Sequence, residues 1–377
     1  MALEIRFPGV FVEEIPSGTR IIQGVPTSNT AFIGRALQGP TNQVVQVNSA
    51  AEFEQTFGGT APDLELSYVI RQFFLNGGNA ALVARVNDPG TDQDFVQTLS
   101  GLDSVDSLNL LAIPGVSSQT ILKAAADYCT TRRAFFIVDS PKATMTAAQM
   151  QEVVHIGLLP QTSNGAAYFP WITVPDPSDG GTPRTTAPSG SVAGVIVRTD
   201  RNRGVWKAPA GQEAVLNGVI STVTKLSDSE AEQLNSIGVN PIRSFVGKGT
   251  VVWGARTLEG NDQLSSVWKY MPVRRMALFL EESIYRGTQW AIFEPNDEAL
   301  WIQIRLAVSA FLSGFFRDGA FQGQTAKDAY FVKCDSTTTT QQDVTAGIIN
   351  ILVGFAPLKP AEFIILKIQQ KAGQKGS

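Results

Sequence analysis

The middle of the chain alternates two kinds of apolar pattern. Residues 108–113 and 134–139 are short and almost continuously apolar, which is typical of strands buried on both faces of a parallel sheet. Residues 119–132 and 145–155 instead carry apolar side chains at helical spacing. Strands that alternate with helices in this way predict an open α/β sheet with right-handed crossovers.

The same patterns extend towards both ends of the chain. They predict strands at 31–34, 44–47, 80–86 and 166–174, and helices at 49–57, 64–76 and 190–200. Residues 175–188 are rich in Pro, Gly, Ser and Thr and predict a surface loop. A third region from about residue 261 predicts helices at 276–286 and 298–316 and strands at 330–334 and 348–356. The helix at 298–316 is apolar over most of its circumference, so we expect it to be buried between layers.

Each end of the chain carries one isolated strand pattern. These strands are too short to bury their own apolar faces, so each must pair with another sheet. Their apolar residues are Val10, Phe11, Val12 and Ile15 at one end and Phe363, Ile364, Leu366 and Ile368 at the other. Gly18 and Gly24 separate the first strand from the body, and Pro357 and Pro360 separate the last, so we expect these four residues to act as hinges.

Composition limits the function further. With 43% hydrophobic and 17% charged residues the chain resembles a soluble globular protein, and no apolar run approaches the ~18 residues of a membrane span. The net charge is −4 and the basic residues are scattered, which argues against direct binding of nucleic acid. Cys129 and Cys334 are predicted to be two buried thiols, and with His155 as the single histidine a transition-metal site is not expected. No cofactor is predicted.

Several stretches resemble the contractile tail sheath proteins. They include FPGVFVEEIPSG at 7–18, RRMALFLEESIYRGTQWAIFEPND at 274–297 and VGFAPLKPAEFIILKI at 353–368, with further matches at 24–40, 67–86, 166–177, 187–211, 242–258 and 331–335. The resemblance covers almost the whole chain in order. The compact length is closer to pyocin-like tails and extracellular injection systems than to large phage sheaths.

The resemblance implies a fold and a division of the chain. The fold is α/β (α+β), with a subtilisin-like α/β middle domain and an α+β C-terminal sheath domain. The implied parts are a linking arm at 1–25, an α/β segment of the core at 26–95, the non-catalytic subtilisin-like domain at 96–258, the sheath domain at 259–358 and a second linking arm at 359–377.

The resemblance also implies partners. The chain is expected to form a helical homopolymer around an inner tube protein, with baseplate and tail-terminator or cap proteins at its ends and an AAA+ ATPase for disassembly or recycling. Arg305, Arg317 and Lys327 are candidates for contacts with the tube, with solvated helix charges as the alternative interpretation. Because residues 1–16 do not resemble a signal peptide, we expect assembly in a bacterial cytoplasm, within a virion, a released particle or an anchored one.

The alternative hypothesis is a serine hydrolase, since a subtilisin-like fold could carry a Ser-His-Asp triad. Asp139, His155 and Ser191 occur in the subtilisin order, but neither the serine nor the histidine lies in a subtilase sequence context. Residues 247–250 (GKGT) contain only part of a phosphate-binding loop and favour a turn. The adjacent carboxylates at 281–282 and 297–298 are interpreted as structural, with Arg256 and Arg286 as candidate partners. The sequence therefore predicts a structural protein and not a serine hydrolase.

Overall fold

The computed structural model describes residues 20–41, 43–144 and 146–362. By its internal contacts the chain divides into two compact units. Among the described residues, the central unit contains 24–283 and 357–362, and the small unit contains 20–23 and 284–356. The finer division into arms and domains given by the sequence stays a prediction.

The central unit is built on an eight-stranded mixed sheet with the order β11-β10-β6-β5-β4-β1-β3-β2. Its strands are β1 (Thr30–Gly34), β2 (Val44–Val47), β3 (Ala81–Arg85), β4 (Leu110–Ala112), β5 (Phe135–Asp139), β6 (Gly165–Phe169), β10 (Val239–Phe245) and β11 (Gly249–Val252). The six strands from β10 to β3 are parallel, and β2 and β11 are antiparallel edges. The predicted α/β fold class is thus confirmed.

Helices cover both faces of this sheet. They are α1 (Ala50–Phe57), α2 (Glu65–Leu75), α3 (Asp92–Gly101), α4 (Gln119–Thr131), α5 (Ala147–His155), α6 (Ser189–Arg203) and α7 (Asp228–Ser236). Successive residues of each buried strand point to opposite faces. Phe135 on β5 therefore packs in the core with α1, α2 and α6, and Phe136 packs in the core with α3 and α4. Every residue of β5 is buried, as its continuous apolar pattern predicts.

Two sequence predictions in this unit are wrong in detail. The strand expected at 166–174 is interrupted at Pro170 and forms β6 and then β7 (Ile172–Pro175) in another sheet. The expected loop at 175–188 contains β8 (Pro183–Thr186), which pairs with β7, and β9 (Ser221–Thr222) completes this three-stranded sheet. Proline lacks the N–H that would continue the ladder, which explains the interruption.

Helix α6 makes its closest approach to α2. A Cβ added at Gly190 would lie 2.1 Å from the carbonyl oxygen of Val69, and one at Gly194 would lie 2.6 Å from that of Phe73. The sequence predicts small residues for packing against the sheet, and Ala193 is indeed buried in the core. The two glycines, however, serve the contact between helices.

The small unit is mostly helical. The boundary between the two units falls within helix α8 (Met271–Gly287). This helix begins five residues before its predicted start, because a proline such as Pro272 is tolerated in the first turn of a helix. The other elements are α9 (Glu298–Arg317), α10 (Ala326–Ala329), α11 (Gln341–Thr345) and a two-stranded sheet of β12 (Tyr330–Lys333) and β13 (Leu352–Phe355).

Candidate functional site

The two-stranded sheet of the small unit has an unpaired edge on each of its strands in the described residues. β12 and β13 pair antiparallel over four residues each, from Tyr330 opposite Phe355 to Lys333 opposite Leu352. No third strand pairs with either of them within 20–41, 43–144 and 146–362. A pair this short is marginally stable alone, and the outer edge of each strand presents backbone N–H and C=O groups to a further strand.

One face of the β12–β13 sheet is held on the helices of the small unit. The ring of Phe321 lies 6.2 Å from Tyr330 and 5.7 Å from Phe355, measured between ring centroids. The Tyr330 hydroxyl lies 3.5 Å from the Ser309 carbonyl oxygen on α9, at the limit of a hydrogen bond. Beyond the end of β12, the Arg305 guanidinium donates to the carbonyl oxygen of Cys334 at 3.1 Å. These contacts fix the sheet while leaving its edges open.

The other face of the β12–β13 sheet is exposed and partly apolar. Phe331 and Leu352 are each about half exposed, at 48% and 51%. The Phe331 ring covers Gly354, where an added Cβ would lie 2.2 Å from the ring. An apolar face beside two open edges is the arrangement expected of a surface that another chain completes.

Helix α9 is less buried than its sequence predicts. Leu300, Ile304, Val308 and Leu312 are buried, but Ile302 and Leu306 on the opposite side are exposed at 39% and 59%. The helix is long and apolar enough to cross a membrane, with a mean hydropathy of 1.5 over its most apolar 18 residues. Core helices of soluble proteins meet the same criterion. Since α9 covers its apolar stripe on one side only, the expectation of burial between two layers is wrong within the described chain.

The candidate tube-facing residues differ in their surroundings. Arg317 is exposed at the end of α9, and Lys327 is exposed on α10. Arg305 is half-buried and bonded to Cys334, so it also has a structural role. By helical geometry Arg317 continues the exposed side of α9 formed by Ile302 and Leu306.

Most of the predicted arm residues lie outside the described residues. This applies to Val10, Phe11, Val12, Ile15 and Gly18, and to Phe363, Ile364, Leu366 and Ile368. The segment before Gly24 belongs to the small unit, where Ile22 is buried against Gly287 and the Arg20 guanidinium lies 4.7 Å from the Trp290 ring. After Gly24, the Val25 N–H donates to the Ser283 hydroxyl in the central unit at 3.1 Å.

The structure does not bring together Asp139, His155 and Ser191, the three residues of the possible catalytic triad. The buried Asp139 accepts from the hydroxyl and the N–H of Ser189, at 2.8 and 2.9 Å, and from the Gly115 N–H at 3.2 Å. The Ser191 hydroxyl is buried and donates to Gln72 at 3.2 Å, and His155 is exposed at the end of α5. Asp139 therefore binds the first turn of α6, and burial raises the pKa of its carboxyl to about 7.

Other sequence predictions can be placed in the same way. Cys129 and Cys334 are both buried free thiols, as predicted, and burial raises the pKa of each. Residues 247–250 form the turn between β10 and β11 and the start of β11. Arg256 does not pair with the carboxylates at 281–282 or 297–298, and its partners are Asp262 and Glu362. Within the described residues no group of His, Cys, Asp and Glu could hold a metal ion.

Comparison with known proteins decides the family. Residues 90–258 match the model of the phage tail sheath protein central domain, and residues 264–371 match that of the phage tail sheath C-terminal domain. The helical sheath of the anti-feeding prophage in its contracted state is 30% identical, with a TM-score of 0.79 over 97% of this chain and 100% of that one. The chain belongs to the contractile tail sheath family.

Two further relatives support this membership. The contracted sheath complex of an extracellular contractile injection system (PVC) is 29% identical, with a TM-score of 0.81 over 98% of this sheath chain and 99% of that one. The tail sheath protein of Vibrio phage KVP40 is 26% identical over 179 residues, which are 47% of this chain and 25% of that protein. The chain thus matches only about a quarter of that phage sheath, but it matches the injection-system sheath almost end to end.

Sequence reasoning missed some features of this sheath protein and found others. The family was found from the sequence, whereas the arms stay a prediction. The pairing of β12 with β13 was not found, because 18 mostly polar residues separate the two strands. The exposed side of α9 was missed because its residues are as apolar as its buried side. The only sequence signal for them is that the apolar residues of α9 cover more of the helix circumference than a single buried stripe requires.

Proposed function

We propose that this sheath protein polymerises helically around an inner tube and contracts to drive the tube through a target envelope. Subunits would be linked by exchange of terminal strands. The observation that carries the proposal is the β12–β13 sheet with its two open edges, together with an isolated strand pattern at each end of the sequence.

The open edges fit this linkage in number and in length. Two edges can accept two strands, and the six-residue strand patterns at 10–15 and 363–368 are long enough to span a four-residue edge. Main-chain hydrogen bonds supply the affinity of such a strand, at about 0.5–1.5 kcal/mol net for each bond. Each link is therefore modest, while a closed lattice of many links resists dissociation.

Hinges at Gly18, Gly24, Pro357 and Pro360 would let the bodies move while the strands stay paired. Gly24 is well placed for this role, because Ile22 is held in the small unit and Val25 in the central unit. The energy for movement would be stored at assembly, in an extended sheath that is less stable than the contracted one. Residues 96–258, within the central unit, would be the non-catalytic subtilisin-like domain.

The remaining partners belong to the same proposal. An inner tube would contact Arg305, Arg317 and Lys327, and baseplate and terminator or cap proteins would bind the ends of the polymer. An AAA+ ATPase would disassemble or recycle the contracted sheath. The subunits would assemble in a bacterial cytoplasm and act within a phage tail or a released or anchored injection particle.

The test is removal of each linking strand. Chains lacking residues 1–18 or 363–377 are expected to stay folded by circular dichroism but to form no tubes in negative-stain microscopy, because an edge of β12–β13 stays empty. A chain lacking only residues 370–377 keeps the predicted strand and is the matched control, which should form tubes. Normal tubes from either longer deletion would refute the linkage.

A further inference from the structure

Arg256 is a charged residue buried in the central unit, with 2% of its side chain exposed. Its Nη1 donates to the carbonyl oxygens of Asn235 and Gly260, at 2.7 and 3.2 Å, and to Oδ1 of Asp262 at 3.0 Å. Its Nε and Nη2 donate to the two carboxylate oxygens of Glu362, at 2.9 and 2.8 Å. Such a parallel pair is the strongest arrangement of an arginine with a carboxylate.

Contacts that do not involve Glu362 also hold Arg256 in this position. Asn240 is completely buried, accepts from the Arg256 N–H at 2.7 Å and donates to its carbonyl oxygen at 2.8 Å. A Cβ at Gly260 would lie 2.7 Å from Cβ of Arg256, so the close approach requires glycine. We call Asn235, Asn240, Arg256, Gly260, Asp262 and Tyr270 the Arg256 socket. Its tyrosine hydroxyl also donates to Glu362, at 3.2 Å.

Glu362 comes from a different part of the chain. It lies 106 positions after Arg256, whereas the socket residues lie between 235 and 270. It also immediately precedes residues 363–368, the predicted C-terminal strand. We propose that the Arg256 socket anchors the C-terminal segment at Glu362 and fixes the point from which that strand leaves the subunit.

Glu362 is expected to stay in the socket because leaving the buried Arg256 charge unpaired costs free energy. If Glu362 left the socket, the buried guanidinium would keep only the half-exposed Asp262 as a counter-charge, and breaking a buried pair is strongly unfavourable. The chain is also held at Ala356, which donates to the Ala329 carbonyl at 2.8 Å and accepts from the Gln322 N–H at 2.9 Å. The C-terminal strand is therefore expected to bend away from the subunit beyond Glu362. The proposed hinges at Pro357 and Pro360 lie between the two held points, in the segment that joins the small unit to the central unit.

The proposed anchor rests on the proposed strand linkage. The variant Glu362→Gln in the full chain tests it. The neutral amide keeps the shape but loses the charge and one acceptor. We expect hydrogen exchange at residues 358–362 to rise by about tenfold or more in the unassembled protein. The protein concentration needed for tube formation should also rise by about tenfold, since the strand would no longer be presented at a fixed point.

Asp262→Asn is the matched control. It removes the other carboxylate of the same guanidinium but leaves the C-terminal segment paired with it. Exchange at 358–362 and tube formation should stay within about twofold of the parent chain, as for other partly exposed pairs. Glu362→Asp keeps the charge with a shorter reach and should fall between the parent chain and Glu362→Gln.

The outcomes separate this anchor from the strand linkage itself. If the chain without 363–377 forms no tubes but Glu362→Gln exchanges and assembles like the parent, the linkage stands and the anchor is refuted. Equal effects of Asp262→Asn and Glu362→Gln would also refute it, since the socket would then act only through stability. If Glu362→Gln fails to fold, the double variant Arg256→Gln/Glu362→Gln removes the unpaired charge. Normal tubes from that double variant would overturn the proposal.

Discussion

The two units differ in how completely each satisfies its own backbone and apolar surface. In the eight-stranded sheet of the central unit six strands have a neighbour on both sides, and helices cover both faces of that sheet. In the small unit the sheet that the structure describes has two strands, so every strand is an edge. The large sheet of the central unit therefore has few unpaired edges, whereas both strands of the small unit's sheet have one in the described residues.

Exposed apolar side chains show the same contrast. The central unit exposes single ones in turns or just after helices, such as Val246 and Ile156. In the small unit some also lie in turns, such as Phe293, but others lie within regular elements, with Ile302 and Leu306 on α9, Phe331 on β12 and Leu352 on β13. Scattered residues need no explanation, but apolar faces of regular elements indicate interaction surfaces. From this contrast we expect stability to rest mainly on the central unit and the proposed assembly contacts mainly on the small unit.

The largest expected effect is on the core of the central unit. Phe32 is completely buried on β1 and its ring lies 5.1 Å from that of Phe73. Phe32→Ala should lower the free energy of unfolding by about 3–5 kcal/mol, because it leaves a cavity between the sheet and α2. Urea unfolding followed by circular dichroism measures the change. A loss below about 1 kcal/mol would mean that this core is not tightly packed.

The second prediction concerns the exposed face of the small unit. Leu352→Glu should change the free energy of unfolding by no more than about 0.5 kcal/mol, since half of the side chain already faces solvent. It should nevertheless raise the concentration for tube formation at least about tenfold, because a charge would be buried beside an added strand.

Ile156→Glu in the central unit is the control for this substitution. It is a comparably exposed apolar residue that lies just after α5 and on no regular element. We expect its tubes to form as in the parent chain. Equal inhibition by both variants would remove the distinction between an assembling unit and a stabilising one.

The sequence predicts the central unit better than the small one for a physical reason. An almost continuous apolar run such as 135–139 predicts a strand buried on both faces, and the structure confirms it. Pro170 and the polar strand β8 were harder to place, because a short polar strand has no periodic signal. In the small unit the pattern of α9 gives the helix but not which of its apolar sides is covered.

The functional residues show the same limit. The strand patterns at the two ends stand out in the sequence because turn residues isolate them, and their role stays a prediction. The partners of Arg256 could not, because Glu362 is 106 positions away and no local spacing connects the two. The sequence offers the adjacent carboxylates at 281–282 as partners, but in the structure these pair with Arg133 and Arg274.

A smaller effect is expected from the candidate tube contacts. Arg317→Glu and Lys327→Glu should weaken assembly on tubes of the inner protein by about two- to tenfold and leave unfolding unchanged, since exposed charge pairs are individually weak. Arg305→Glu should in addition destabilise the small unit, because it loses the bond to the Cys334 carbonyl. Sedimentation with preformed tubes measures the first effect and thermal unfolding the second. Identical sedimentation of parent and variants would show that these charges only face solvent.

A pH dependence of stability is also expected within the central unit. Burial raises the pKa of the Asp139 carboxyl to about 7, against bonds from Ser189 and Gly115 that lower it, and the charge of Glu65 adds to the rise. Because the unfolded chain ionises this group near its ordinary pKa of 3.8, the folded state binds the extra proton between the two values. The stability that the group contributes is thus fully present below pH 3.8 and is lost as pH rises towards 7.

Asp139→Asn removes this titration while keeping a side chain of the same shape beside α6. The free energy of unfolding of the parent chain, minus that of Asp139→Asn, should therefore fall steadily from about pH 4 to about pH 7 and then stay level. Urea unfolding below the concentration of assembly, at several pH values across this range, gives the difference directly. Parallel pH profiles for the two chains would show that Asp139 is already ionised in the folded protein. Its bonds to the first turn of α6 would then outweigh the cost of its burial.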